Sequence, residues 1–426
     1  MKKRSFSEAM NHPKKHRLII QRVFIALGIF SIGILSSQQE IQHEAVAINI
    51  EVPVRVFQGE TYIDDLTLED FELYEDGILQ QIDAVYFVEK TDIAREEMRP
   101  GEKINMPRIL PKVEGRYFVL LFDILTYMPR VEEALDQFFN TVLLPSDRLM
   151  IITPMNVYHL KEDSWKIENR KDLADQFKGI IRRDAVMGNA EYRKKLKSLE
   201  RLSLQISNLH WDAVDPESAE DRLDFRLGRY SSILGQMEAS RVVNQKKMIQ
   251  FANELEQFEG QKTVFLFYQR ESIPQPKPKI IFDYQVLFNT RPDIYQKLSD
   301  LFVNYVRFIN LDVEQIKKAY SDSSINIHFL FLTREYDDRE PGVYYQEHSE
   351  DIFNAFNQLA NSTGGYTIAS ANALFAFNKA VEATEKYYLL YYTPKNYTPD
   401  GKFRDIKVSV KGKNYRVLHR AGYVAD

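Results

Sequence analysis

The 426-residue chain contains no cysteine. That absence excludes disulfide staples, cysteine-ligated zinc, iron-sulfur clusters and thiol nucleophiles. Glycine (17) and proline (16) are sparse, which rules out collagen-like and low-complexity chains. Positive charge is not in excess either: 56 Lys and Arg face 61 Asp and Glu, a net charge of −5, so nothing in the overall charge argues for nucleic acid. Eight histidines are scattered without an H-E-x-x-H pair or another zinc spacing. The G-x-S-x-G elbow, the Walker A loop and the G-x-G-x-x-G turn are missing too. Serine hydrolysis, nucleotide hydrolysis and dinucleotide binding therefore lack their usual supports. What is present is a 44% hydrophobic content with 24 Tyr and 27 Phe, enough to fill real cores in two or three folded units.

The N-terminus differs from the rest. Residues 1–17 carry six basic side chains against Glu8, and the run from Val23 to Leu35 has no charge. A basic flank followed by a short apolar run is the order of an export signal, either a cleaved signal peptide or an uncleaved anchor over residues 1–37. Its loss would remove seven basic residues and Glu8, leaving 49 basic against 60 acidic side chains, net −11. Export of a cysteine-free chain fits a bacterial envelope, with the protein periplasmic or secreted after cleavage, or tethered to the inner membrane through residues 18–37. Membrane contact is expected only there.

Along the chain, 41–90 alternates apolar and polar residues, with Asp76-Gly77 as a hairpin signal, and reads as a small β unit. Residues 91–114, with Pro100-Gly101, Pro107 and Pro111, read as a linker. From 115 to 385 buried-strand runs (116–123, 148–154, 263–269, 325–332) alternate with helical patterns such as 292–309 and 350–360. That alternation predicts an α/β fold, a doubly wound parallel sheet with helices on both faces and a ligand crevice beyond the carboxyl ends of the strands. A helical insertion interrupts it at about 163–260. There the positions 223, 227, 230, 234, 237, 241, 244, 248, 251, 255 and 258 form a heptad seam with two polar interruptions, Arg241 and Asn244. The segment 191–209 is expected to pair with it as a hairpin, the stripe either covering that hairpin or forming a projecting stalk for a partner. Strand signals return over 386–426, and these strands are expected to pack with 41–90, since each β segment alone leaves open edges.

Several segments in this order (DLTLEDFELYEDG at 65–77, FVLLFD at 118–123, LANSTGGY at 359–366, YYLLYYTP at 387–394 and DGKFRDIKVSV at 400–410) resemble the von Willebrand factor A-like proteins exported by bacteria, the "VWFA-related" subgroup described from acidobacteria. The resemblance implies the α/β fold above and a cation site that begins Asp-x-Ser-x-Ser after the first strand. Here those positions are Asp123, Leu125 and Tyr127, so only the acid remains. The last ligand expected in the family, an Asp after the 263–269 strand, is replaced by Tyr268, Gln269 and Arg270. Mg²⁺ requires near-octahedral oxygen donors, which Leu125 and Tyr127 do not supply. The expectation is a degenerate site with no cofactor, in which Asp123 caps the following helix or pairs with Arg270. The alternative is Mg²⁺ or Ca²⁺ held at a non-standard site by Asp123 with Asp337 and Asp338.

The segment 270–288 is rich in proline and aromatics and follows a strand, so an extended loop on the ligand face is expected. Tyr127, Tyr268, Arg270, Phe282 and Tyr284 are the candidate partner-binding residues, aromatics and arginine being enriched at interfaces. The function expected is a non-enzymatic protein-interaction or scaffolding module of the envelope, cation-dependent ligand binding the alternative and an envelope hydrolase the third.

Overall fold

The computed structural model describes residues 48–59, 61–99, 116–160, 170–209, 216–258, 260–307, 311–333 and 341–426. Residues 1–37, expected as an export signal, and Asp337 and Asp338 lie outside them. The N-terminal strands are β1 (Ile50–Gln58), β2 (Thr61–Tyr62), β3 (Phe71–Glu75), β4 (Ile78–Gln80), β5 (Ile82–Glu89) and β6 (Asp92–Met98). β3 and β4 close at Asp76-Gly77, both with positive φ, the conformation a tight hairpin requires. β6 corrects the expected linker: residues 92–98 pair antiparallel with β5, with Asp92, Ala94, Glu96 and Met98 facing water while Ile93 lies against the small aromatic cluster of Tyr86 and Tyr387.

The central body follows with β7 (Tyr117–Asp123), α1 (Pro129–Gln137), β8 (Arg148–Ile152) and β9 (Val157–Leu160). Four helices come next, α2 (Arg170–Gly188), α3 (Ala190–Ser207), α4 (Pro216–Ala239) and α5 (Gln245–Glu256). Then come β10 (Lys262–Gln269), β11 (Ser272–Pro276), α6 (Pro278–Leu287), α7 (Pro292–Leu298), α8 (Val313–Asp322) and β12 (Ile325–Leu332). β13 (Val343–Glu347), α9 (Glu350–Ser362), β14 (Thr367–Ser370) and α10 (Ala373–Glu385) complete the body. The strand order is β14-β12-β10-β7-β8-β9, parallel throughout except for the antiparallel edge strand β9. The near-continuous apolar runs that announced these strands are buried on both faces. Phe118, Leu120 and Phe122 pack with α1, α2 and α10, whereas Tyr117 and Val119 pack with α5, α8 and α9. α9 ends where Gly364 turns at φ +72° and Gly365 lies against β12, a Cβ there coming within 1.7 Å of the Ile327 carbonyl oxygen.

The helical insertion is not one long seam. α4 stops at Ala239 and α5 restarts at Gln245, with the Asn244 side chain accepting from Lys247 N. The two polar heptad positions are the corner between helices: Asn244 caps the second, and Arg241 turns inward. Leu223, Leu227, Tyr230, Leu234 and Met237 of α4 pack against Leu199, Leu202 and Ile206 of α3. The same cluster takes α6 and α7. Of the segment 292–309, expected as a crossover helix of the sheet, α7 and the residues after it through Tyr305 thus cover the insertion, and α8 makes the crossover.

The closing strands are β15 (Lys386–Tyr392), β16 (Phe403–Val410), β17 (Arg416–His419) and β18 (Gly422–Val424). β15 runs between β1 and β5, and β16 between β18 and β3, so N- and C-terminal segments alternate in two sheets that share one core. Val52, Val54, Tyr388 and Leu390 are fully buried in it. Each such aliphatic side chain stabilises the fold by roughly 1.5–3 kcal/mol.

Candidate functional site

β7 and β10 are sheet neighbours, and their carboxyl ends lie side by side: Tyr268 pairs in register with Asp123. The loop after Asp123 is fixed from below. Leu125 is buried in the cluster of α3 and α4. The fully buried Gln269 accepts hydrogen bonds from Leu125 N and Thr126 N, both at 2.9 Å, on its Oε1. Leu125 thus fastens the insertion to the strand end, and the amide oxygen of Gln269 takes up two backbone donors of the loop.

Arg241 enters this strand end from the α4–α5 corner. Its guanidinium pairs with Asp123 through Nη1 and with Glu271 through Nε at 3.2 Å, and lies over the rings of Tyr268 (5.2 Å) and Tyr192 (5.9 Å). Asp123 was expected to cap the following helix or to pair with Arg270, but the N-cap of α1 is Met128, with no side-chain cap. Arg270 instead pairs with Glu347 at 2.9 Å and stacks on Phe331, because β10 ends at Gln269 and the next residue points to the β11–β13 ribbon.

Glu271 is the centre of the cluster. It accepts from the Tyr268 hydroxyl at 2.5 Å, the Tyr192 hydroxyl at 3.2 Å and Arg307 at 3.3 Å. Arg307 in turn holds Asp351 bidentately at 3.0 and 2.9 Å. Asp123, Arg241, Glu271, Arg307 and Asp351 form a line of alternating charge. Burial pushes the Glu271 carboxyl up, and Arg241 followed by Arg307 more than reverses this, leaving it below the ordinary range. Burial also works against the charged form of Arg241, yet Asp123, Tyr268 and Glu271 hold its proton more firmly than in water. The side chains of Arg241 and Glu271 are only 9% and 3% exposed, so these attractions act with little screening.

A divalent cation at Asp123 would have to displace this guanidinium. Among the described residues no group of three or more His, Asp or Glu side chains is arranged to hold a metal ion. Asp337 and Asp338 lie outside those residues.

The candidate partner-binding residues fall in different places. Tyr268 and Tyr284 are buried, their hydroxyls bonded to Glu271 and to the Ile206 carbonyl at 2.6 Å, so neither can anchor a partner. The expected extended loop pairs as β11 and then folds into α6, Pro278 standing at the start of the helix where its missing N–H costs nothing. This turn of helix carries Tyr284 inward, while Phe282 on the same helix is 63% exposed. Tyr127 is half-buried in a cleft of about 570 Å³ with Thr126, Glu132, Arg182 and Arg193. Arg241, Glu271, Arg307 and Asp351 were not foreseen, and the one signal available was a charged residue at a core heptad position.

No family model matches the chain, and no curated protein matches it. Among solved structures it is similar to the crystal structure of the human COPII-coat protein Sec24c, at 9% identity and a TM-score of 0.30. That match covers 74% of this chain and 44% of the other, so the chain spans less than half its length.

Proposed function

We propose that the chain is a von Willebrand factor A-like protein, exported to the bacterial envelope, that works as a non-enzymatic interaction or scaffolding module with an internal arginine in place of a divalent cation. The observation that carries this reading is the Arg241 guanidinium bridging Asp123 and Glu271 at the strand ends. It is supported by the strand order, in which connections leave β7 and β10 in opposite directions, as a doubly wound sheet requires, with helices on both faces. Each of the carboxylates Asp123, Glu271 and Asp351 is paired with a guanidinium, which leaves no free base there for acid–base chemistry. The leader carries the export part of the proposal. The Tyr127 cleft and the exposed Phe282 are the surfaces offered to a protein partner.

The test is the thermal midpoint of the purified protein in EDTA and in excess Mg²⁺ or Ca²⁺, beside crosslinking pulldowns from envelope extracts. A cation that binds only the folded state at 100 times its Kd adds about 2.7 kcal/mol. The proposal expects no cation-dependent shift and a captured partner that is lost with Arg182→Glu in the cleft. A midpoint raised by one cation and insensitive to it in Asp123→Ala replaces this reading with cation-dependent ligand binding, and pulldowns without a partner remove the scaffolding role.

A further inference from the structure

A second cleft, of about 490 Å³, opens between the β11–β13 ribbon, the segment after α7 and the start of α9. Its volume lies within the roughly 300–1,000 Å³ of small-molecule sites. The charges that line it are mostly spent: Arg307 is held by Asp351 and Glu271, and Glu347 by Arg270, leaving Glu350 exposed at the rim. With its arginine engaged, the cleft offers little to a phosphate, and with two of its three carboxylates paired it offers a polyamine one acid, Glu350.

The remaining groups are neutral: polar side chains, aromatics, and the exposed aliphatic Val303 and Val306. The Tyr344 hydroxyl donates to Gln275 Oε1 at 3.2 Å, and Gln275 Nε2 donates to His348 Nε2 at 2.9 Å. That orientation leaves the imidazole hydrogen on Nδ1, which is buried and without a partner. Burial and then Arg307 push the His348 pKa down to about 4, so the ring is neutral near pH 7. Tyr305 stacks on His348 with ring centroids 4.9 Å apart, which fixes an aromatic wall. Gln346 and Asn354, both exposed, add amides that donate and accept together.

We propose that this cleft binds a neutral, polyhydroxylated ligand, a sugar or short oligosaccharide. Hydroxyl groups both donate and accept, which the exposed amides of Gln346 and Asn354 and the Tyr344 phenol match, and the apolar C–H face of a sugar ring fits the aromatic wall. The cleft shares Arg307 and Asp351 with the charge line of Arg241, but its ligand binding stands whether or not a protein partner exists.

Saturation-transfer NMR titrations of the full protein test it, using cellobiose, maltotriose and chitobiose, with inositol hexakisphosphate and a Lys-rich peptide as charged controls. At least one neutral saccharide binds saturably, its Kd rising about tenfold in Gln346→Ala and in Asn354→Ala, as loss of a hydrogen bond predicts. Both sites are exposed, so the thermal midpoint stays unchanged and a folding defect is told apart from a binding defect. The proposal is overturned if no neutral saccharide saturates, if binding survives both substitutions, or if only a charged control binds.

Discussion

Replacing Arg241 by methionine keeps most of the side-chain volume and removes the charge that Glu271 and Asp123 share. Removing one partner of a buried pair costs about 3–5 kcal/mol. Here Arg307 remains 3.3 Å from Glu271, and the Asp123 side chain is 36% exposed and can be hydrated. The expected cost is therefore at or below the lower end, about 2–3 kcal/mol. Its pH dependence is the sharper test. In the parent, Glu271 titrates below its usual value of 4.5, so it contributes stability that is present above that value and lost as pH falls through the folded one. In Arg241→Met burial is opposed by Arg307 alone, the carboxyl rises, and its ionised form is penalised at neutral pH. The deficit of the variant is thus largest near pH 7 and shrinks as Glu271 becomes protonated. Urea unfolding at pH 7 and pH 4 measures both numbers, and a cycle with Glu271→Gln isolates the pair, with an expected coupling of at least about 1 kcal/mol. A deficit under about 0.5 kcal/mol, within the range of ordinary surface substitutions, or one equal at the two pH values, refutes the account of Arg241 as an internal counter-ion.

Two other perturbations follow from the packing. Gly365→Ala places a methyl group 1.7 Å from the Ile327 carbonyl oxygen, with backbone on both sides, so a loss of at least about 3 kcal/mol in urea unfolding is expected; wild-type stability would contradict the close approach of α9 and β12. His328 is fully buried, neither ring nitrogen has a partner, and burial followed by Arg55 holds its pKa well below 6.5. Below pH 6.5 the unfolded chain takes up a proton that the folded residue refuses, so stability falls with pH by up to about 1.4 kcal/mol per unit from this residue. His328→Phe, which preserves stacking on Phe265, should flatten that slope without loss of stability at pH 7. An unchanged slope between pH 6.5 and pH 5 counts against it.

Much of the architecture is legible in residue order because its causes are local. Apolar runs such as 118–122 and 325–332 have a single stable destination, a sheet buried on both faces, and alternation over 403–410 defines a strand with one wet side. The hairpin at Asp76-Gly77 and the turn at Gly364 follow from backbone freedom. The insertion was misread in one respect. A heptad pattern records which residues face inward and not whether the helix is continuous, so Arg241 looked like a flaw in a seam when it marks the corner.

The site was legible only in its first member. Asp123 is identifiable from its place at a strand end, but its partner lies 118 residues away in the turn between α4 and α5. Glu271 and Asp351 come from the segments after β10 and β13, and no spacing rule connects them. The aromatic segment 270–288 shows the same limit: composition marks it as rich in contacts, while the turn of helix that starts at Pro278 decides that Tyr284 is buried and Phe282 is not. By itself the sequence determined the buried strands of the central sheet and most of the helices, since these depend on neighbours in the chain. Only the tertiary structure decided which charges meet, because a buried ion pair depends on where distant elements end in space.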